Sequence, residues 1–180
     1  MKIVYLDLDG VCSNFIKSCI VANNLDYYDT IYRWEKDFKG VFSAFEVFGI
    51  DNSLFWKNIE SQGEEFWSDM EVYSWFYELY NELSKVGRVI FLTKPSNSPL
   101  SHSGKIKWLQ KRFDKNFKDY IFTPHKELLA NKNSYLVDDC PNNIKKFNDA
   151  GGNGILFPQF WNSKIDIEDK VSYILDKISN

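Results

Sequence analysis

Little in this chain would place it outside the cell or in a membrane. Its three cysteines, Cys12, Cys19 and Cys140, are too few and too odd in number for a disulfide framework. No apolar run approaches the ~20 residues that a membrane-spanning helix requires. Two aspartates interrupt the apolar stretch of residues 1–10, which breaks any signal-peptide core there. A reducing, cytoplasmic setting without membrane association is the expectation. An excess of positive charge is also missing. The formal net charge is −3, whereas binding a phosphate backbone takes surplus Lys and Arg, so nucleic acid is not an expected partner. His102 and His125 lack metal-ligand spacing, and the chain carries no internal repeats or low-complexity tracts.

What is present suits one ordinary globular domain with room for an inserted subdomain: 180 residues, 44% hydrophobic and 26% charged. Aromatic residues reach 17% and crowd between Tyr27 and Tyr80. Lys2–Leu6 alternates and is rich in β-branched residues, which predicts a short buried strand running into a turn at Asp7-Leu8-Asp9-Gly10. Ser13 is placed to cap a helix carrying Phe15, Ile16, Cys19 and Ile20 on one face. Phe38, Phe42, Phe45 and Phe48 recur at helical spacing, a further amphipathic stretch follows Asp51-Asn52-Ser53, and Gly63-Glu64-Glu65 marks the way back. Beyond these, the pattern predicts helices over Tyr73–Val86, Ile106–Phe113, Asn142–Ala150 and Val171–Ile178. Strands are expected over Arg88–Leu92, Tyr120–Phe122, Tyr135–Val137 and Ile155–Phe157. Strands alternating with helices imply an α/β fold, a Rossmann-like doubly wound parallel sheet. A core of residues 1–14 and 73–180 would then carry a small helical cap, residues 15–72, inserted after the first strand.

Ligands of such sheets bind beyond the carboxyl ends of the strands. Asp7, Thr93 and Asp138-Asp139 each stand where a predicted strand ends, so residues far apart in sequence converge on one rim. Asp7 and Asp9 around a sharp turn offer one carboxylate to attack phosphorus and another to protonate the leaving alkoxide and later activate water. An ordinary turn would use the same residues, and Asp138-Asp139 could simply cap the helix that follows. Four carboxylates at one rim nevertheless call for a cation, and oxygen-ligated Mg²⁺ fits that set. Thr93, Lys94 and Lys126 are candidate phosphate binders, although Lys126 is one of many lysines in this half of the chain. Phe15, Phe42, Phe45 and Trp67 are candidates to stack on an aromatic base. Each could equally belong to the cap's own core, and the same aromatic excess is compatible with a homodimer interface.

The order Asp7-x-Asp9-Gly-Val, apolar strand to Thr93, Lys126 and Leu-Val-Asp138-Asp139 resembles the four motifs of the haloacid dehalogenase (HAD) superfamily. The opening Leu6-Asp-Leu-Asp-Gly-Val-Cys-Ser-Asn-Phe15 and the short helical insertion are similar to the cytosolic type C 5′(3′)-deoxyribonucleotidases. The resemblance implies Asp7 as nucleophile and metal ligand, and Asp9 as acid/base with its carbonyl on the metal. It further implies Thr93 and Lys126 on phosphate, and Asp139, with Asp138 as the alternative, as the remaining metal ligand. Lys94-Pro departs from the small residue expected after Thr93, and the stretch from Lys126 to the Asp pair is slightly long. The resulting expectation is a Mg²⁺-dependent phosphomonoester hydrolase acting on (deoxy)nucleoside 5′-monophosphates through an aspartyl-phosphate. The alternatives are a HAD phosphatase for another small phosphorylated metabolite or a nucleic-acid 3′-phosphate, and a non-catalytic phosphate-binding protein.

Overall fold

In the computed structural model, which describes residues 2–179, five strands form one parallel sheet: β1 (Ile3–Leu6), β2 (Arg88–Thr93), β3 (Tyr120–Phe122), β4 (Ser134–Asp138) and β5 (Asn153–Leu156). Their spatial order is β3-β2-β1-β4-β5. Leu6 pairs with Phe91 on one side and with Val137 on the other, so β1 lies at the centre and its end is level with both neighbours. Alternation splits the strand side chains between two faces. Val4, Leu6, Phe91 and Val137 join the larger core, and Tyr5, Leu92 and Leu136 pack with Phe147 on the opposite face. The chain runs outward from β1 to β2 and β3, then returns to place β4 on the other flank of β1. That reversal opens a crevice at the carboxyl ends of β1 and β4.

Between β1 and the helix α6 (Phe76–Val86) lie five helices: α1 (Phe15–Ala22), α2 (Tyr27–Asp37), α3 (Ala44–Phe48), α4 (Asn52–Glu60) and α5 (Gly63–Ser68). The chain leaves and re-enters the sheet layer through paired segments. Asn14 N–H donates to Glu71 O at 2.8 Å and Tyr73 N–H to Cys12 O at 3.0 Å, with an antiparallel bridge between Ser13 and Val72. The insertion is not a loose appendage. Trp34, Val47, Phe48, Phe55, Ile59, Phe66 and Trp67 belong to the same continuous apolar cluster as Val4, Leu6 and Phe91.

After the sheet's second strand come α7 (Pro99–Arg112), a 3₁₀ turn (Lys126–Leu129), α8 (Pro141–Asp149) and α9 (Lys170–Ser179). Several boundaries differ from the sequence pattern for local reasons. Asn14, not Ser13, caps α1 by accepting from Lys17 N–H at 3.1 Å, because the Ser13 hydroxyl is engaged by Leu8 O and Asp9. The regular Phe38–Phe48 spacing does not give one helix. Gly40 takes a left-handed φ of 80° and its N–H reaches Phe160 O, so only residues 44–48 are helical. Gly63-Glu64-Glu65 opens a helix of its own, α5. The helix expected from Tyr73 begins at Phe76, since the Tyr73 N–H is held by Cys12 O in the paired segment that precedes it. The one expected from Ile106 begins at Pro99, where Ser98 caps it and proline sits in the first turn.

Candidate active site

The turn after β1 is wound around one carbonyl. Leu8 O accepts from the N–H groups of Val11, Cys12 and Ser13, and the Asp7 N–H donates to Val137 O at 3.0 Å. Gly10 has φ 80°, and a Cβ there would strike the Asp139 carboxylate and stand 3.2 Å from the Trp161 ring. Glycine is therefore required on two grounds: a left-handed backbone and the close approach of the Asp139 carboxylate. The turn delivers Asp7, nearly buried, to the floor of the crevice and Asp9 to its wall. The Cys12 thiol is wholly buried, donates to Asp7 O at 3.1 Å, and burial first, then Asp7 and Asp9, hold its pKa well raised.

Lys126, delivered by the 3₁₀ turn, stands 2.8 Å from Asp7 Oδ1 and 2.6 Å from Asp138 Oδ2. Lys126 is thus the cation that Asp7 and Asp138 share, and its ammonium is buried with them. Desolvation alone would depress the Lys126 ammonium, but Asp138 and Asp7 override it and hold its pKa raised. Lys126 thus lies in the site despite the long spacing that follows it.

Asp138 and Asp139 differ sharply. Asp138 is fully buried, and its oxygens accept from Cys140 N–H, Lys126 and Asn143. Asp139 lines the crevice, and its Oδ2 accepts from the Trp161 indole N–H at 2.7 Å. One carboxylate is consumed by the protein, whereas the other still faces the site.

A second buried lysine escaped the sequence reading. Lys105 on α7 is wholly buried, with Nζ 2.5 Å from Asp9 Oδ2 and 3.2 Å from Thr93 Oγ1, over the Trp67 ring. The neighbouring Gly104 makes this possible. A Cβ there would meet Glu64 O at 2.7 Å and Trp67, so glycine lets α7 press against α5 and carries Lys105 inward. The one available signal was a Gly-Lys pair in a segment following Thr93, and it is weak.

A cavity of about 620 Å³ opens from Asp7, Asp9, Thr93 and Lys126 toward the helical insertion, within the range of small-molecule sites. Phe15, Phe42 and Phe45 line its outer part, together with Lys94. Trp67 is placed differently: 1% exposed, it stacks beneath Phe15 at 6.0 Å and borders an adjoining recess of about 430 Å³.

Asp7, Asp138 and Asp139 bring ligand atoms within 4.8 Å of one another. Burial pushes the Asp7 carboxyl up to about 7, with Asp138 and Asp9 adding to the rise and Lys126 opposing it. Burial, then Asp138 and Asp7, also hold Asp139 well above the usual carboxylate range. Four carboxylates face two buried lysines here, so ionising all four would leave two negative charges unbalanced. The donor set and that charge deficit both fit one divalent, oxygen-ligated cation.

The family described as "5′ nucleotidase, deoxy (Pyrimidine), cytosolic type C protein" matches residues 1–175. The chain belongs to that family. No curated protein matches it. Solved structures share its fold at low identity. A haloacid dehalogenase-like hydrolase from Xanthomonas campestris superposes with a TM-score of 0.60 at 12% identity, covering 99% of this chain and 92% of that one. CbbY from Rhodobacter sphaeroides, in complex with phosphate, gives 0.58 at 12%, with 100% of each chain covered. The HAD-hydrolase YfnB from Bacillus subtilis, bound to magnesium, gives 0.53 at 13%, covering 87% and 86%. The fold is that of HAD hydrolases, and the family membership and the buried aspartate cluster fit a phosphohydrolase. Among the described residues, no helix is long and apolar enough to cross a membrane.

Proposed function

We propose that this chain is a Mg²⁺-dependent phosphatase that hydrolyses deoxynucleoside 5′-monophosphates through an aspartyl-phosphate on Asp7. The observation that carries this reading is the division of labour at the strand ends. Asp7 is buried in an ion pair with Lys126, while Asp9 is separately paired with Lys105 across the turn. A site that only bound phosphate would need neither a buried nucleophile nor a second, independently held carboxylate.

Asp7 attacks phosphorus as the bond to the sugar oxygen breaks, and Asp9 gives that oxygen its proton. Asp9 then takes a proton from water as the water attacks phosphorus, freeing phosphate and restoring Asp7. Lys126 and Thr93 hold the phosphoryl oxygens, and Lys94 stands at the rim. Lys105 fixes the rotamer of Asp9 and donates to the Thr93 hydroxyl oxygen, leaving that hydroxyl's proton for phosphate. Asp7, the Asp9 carbonyl and Asp139 would hold Mg²⁺. Asp138 would not, because its oxygens are already taken by Lys126, Asn143 and Cys140. When bound, Mg²⁺ offsets the charge of the transferring phosphoryl group. Residues 15–72 act as a cap whose Phe15, Phe42 and Phe45 receive the base, and Trp67 supports Phe15 from below. A cytoplasmic setting suits such a reaction.

Phosphate release should be measured over deoxynucleoside monophosphates, ribonucleoside monophosphates and sugar phosphates, with Mg²⁺ or chelator. The expected result is chelator-sensitive hydrolysis with deoxynucleotides preferred, abolished by Asp7→Asn. Equal rates on sugar phosphates would remove the nucleotidase assignment, and undiminished turnover by Asp7→Asn would remove the mechanism.

A further inference from the structure

The chain between β5 and α9 contributes no residue to the proposed chemistry, yet it is built into the site. Gln159, Trp161 and Asn162 are each 3% exposed or less, an unusual burial for polar groups on a connecting segment. Each is buried against the catalytic loops. Gln159 Nε2 donates to Gly10 O at 2.5 Å, and Asn162 Nδ2 to Asp139 O at 3.0 Å and Phe157 O at 2.8 Å. Trp161 donates its indole N–H to Asp139 Oδ2 at 2.7 Å. Both the backbone and the carboxylate of Asp139 are therefore gripped from this segment, whereas Asp138 receives only a backbone bond, from Phe157 N–H to its carbonyl at 2.9 Å.

Trp161 is itself locked from the far side. Its ring lies 6.0 Å from that of Trp34 on α2, the adjoining Phe160 ring meets Trp34 edge-on at 5.4 Å, and Phe160 O accepts from Gly40 N–H. An indole fixed on one edge and donating on the other turns a rotatable carboxylate into a fixed one.

We infer that Trp161 is a positioning residue for Asp139, holding Oδ2 so that the other carboxylate oxygen is presented to a divalent cation. The inference rests on the reading of Asp139 as a metal ligand. A hydrogen bond to a ligating carboxylate orients it and favours its ionised form. Removing such an outer partner typically costs about 10–100-fold in metal affinity. Simple ring packing would not require the indole nitrogen.

Calorimetric titration of the metal-stripped full chain with Mg²⁺ tests this directly. Trp161→Phe keeps an aromatic ring against Trp34 but lacks the donor, and it should bind Mg²⁺ about 10–100-fold more weakly. Equal affinity in wild type and Trp161→Phe overturns the inference while leaving the metal reading intact. Absence of Mg²⁺ binding by wild type overturns both. A second readout needs no variant: the Trp161 indole N–H resonance of the ¹⁵N-labelled protein, assigned through its contacts to Trp34. It should shift on Mg²⁺ addition along the calorimetric isotherm, whereas the Trp34 indole, bonded to Val41 O, should not. An unmoved Trp161 resonance under saturating Mg²⁺ contradicts the assignment.

Discussion

Lys126 shares one ammonium between Asp7 and Asp138, and all three are buried. Replacing it with Met removes the only cation paired with Asp138 among the described residues, so an uncompensated charge remains in a dry site. Breaking a buried pair in this way costs about 3–5 kcal/mol, and urea denaturation of Lys126→Met should show a loss of that size. A loss under 1 kcal/mol would contradict the reading of this triad as a buried, mutually compensated ion cluster. Lys105 is a different case, because its partner Asp9 is partly solvated and can tolerate the loss. Lys105→Met should lower kcat by about 10²-fold or more, the lower end of what acid–base catalysis contributes. Mg²⁺ affinity should change only slightly. The reverse pattern, weakened Mg²⁺ with normal kcat, would reassign Lys105 from orienting Asp9 to supporting the metal site.

Elements were legible in the sequence where burial pattern and local chemistry agreed. The strand at Arg88–Thr93 is a continuous apolar run with a polar stop, and the Leu-Val-Asp138-Asp139 strand ends the same way, so the rim where Asp7, Thr93 and Asp139 meet could be read directly. Helix α7 could not. Its first turns, Pro-Leu-Ser-His-Ser-Gly, have poor helix propensity and look like loop. The helix forms there because Ser98 caps it and α5 packs on it, and Lys105 was hidden with it. The aromatic run from Phe38 to Phe48 failed oppositely. Its spacing was helical, but the tertiary bond from Gly40 N–H to Phe160 O keeps residues 39–43 in a loop. Trp67 reads equally as core or pocket wall in any sequence, since only depth distinguishes them. The close α5–α7 approach carries its own prediction. Gly104→Ala forces Cβ into Glu64 O and Trp67, which should cost about 1–3 kcal/mol as overpacking. It should also lower kcat with Lys105 intact in sequence. Unchanged denaturation and kcat would show that the helices can separate without disturbing Asp9.

For the molecule as a whole, the buried carboxylates link stability, pH and cation binding. The Asp7 carboxyl is raised from 3.8 to about 7, chiefly by burial, so between those values the folded chain holds a proton that the unfolded chain has lost. Its contribution to stability therefore declines as pH rises through this window and stays at its lowest above it. Metal-free Asp7→Asn, which carries no charge to bury, should gain on metal-free wild type over the same window. Comparing their urea midpoints at pH 5 and pH 8 checks this, and a gain that shrinks with pH would contradict it. Mg²⁺ should stabilise wild type more at pH 8 than at pH 5, because at pH 5 it must displace the Asp7 proton.

The central claim, that Asp7 becomes covalently phosphorylated, is tested most directly by quenching wild type during turnover of a deoxynucleoside monophosphate and reducing it with borohydride. Reduction converts an acyl phosphate to an alcohol, which peptide mass spectrometry can locate. The modification is expected at Asp7, and Asp7→Asn should yield none. Turnover without a reducible adduct, or an adduct on Asp9 or Asp139 instead, would contradict the account.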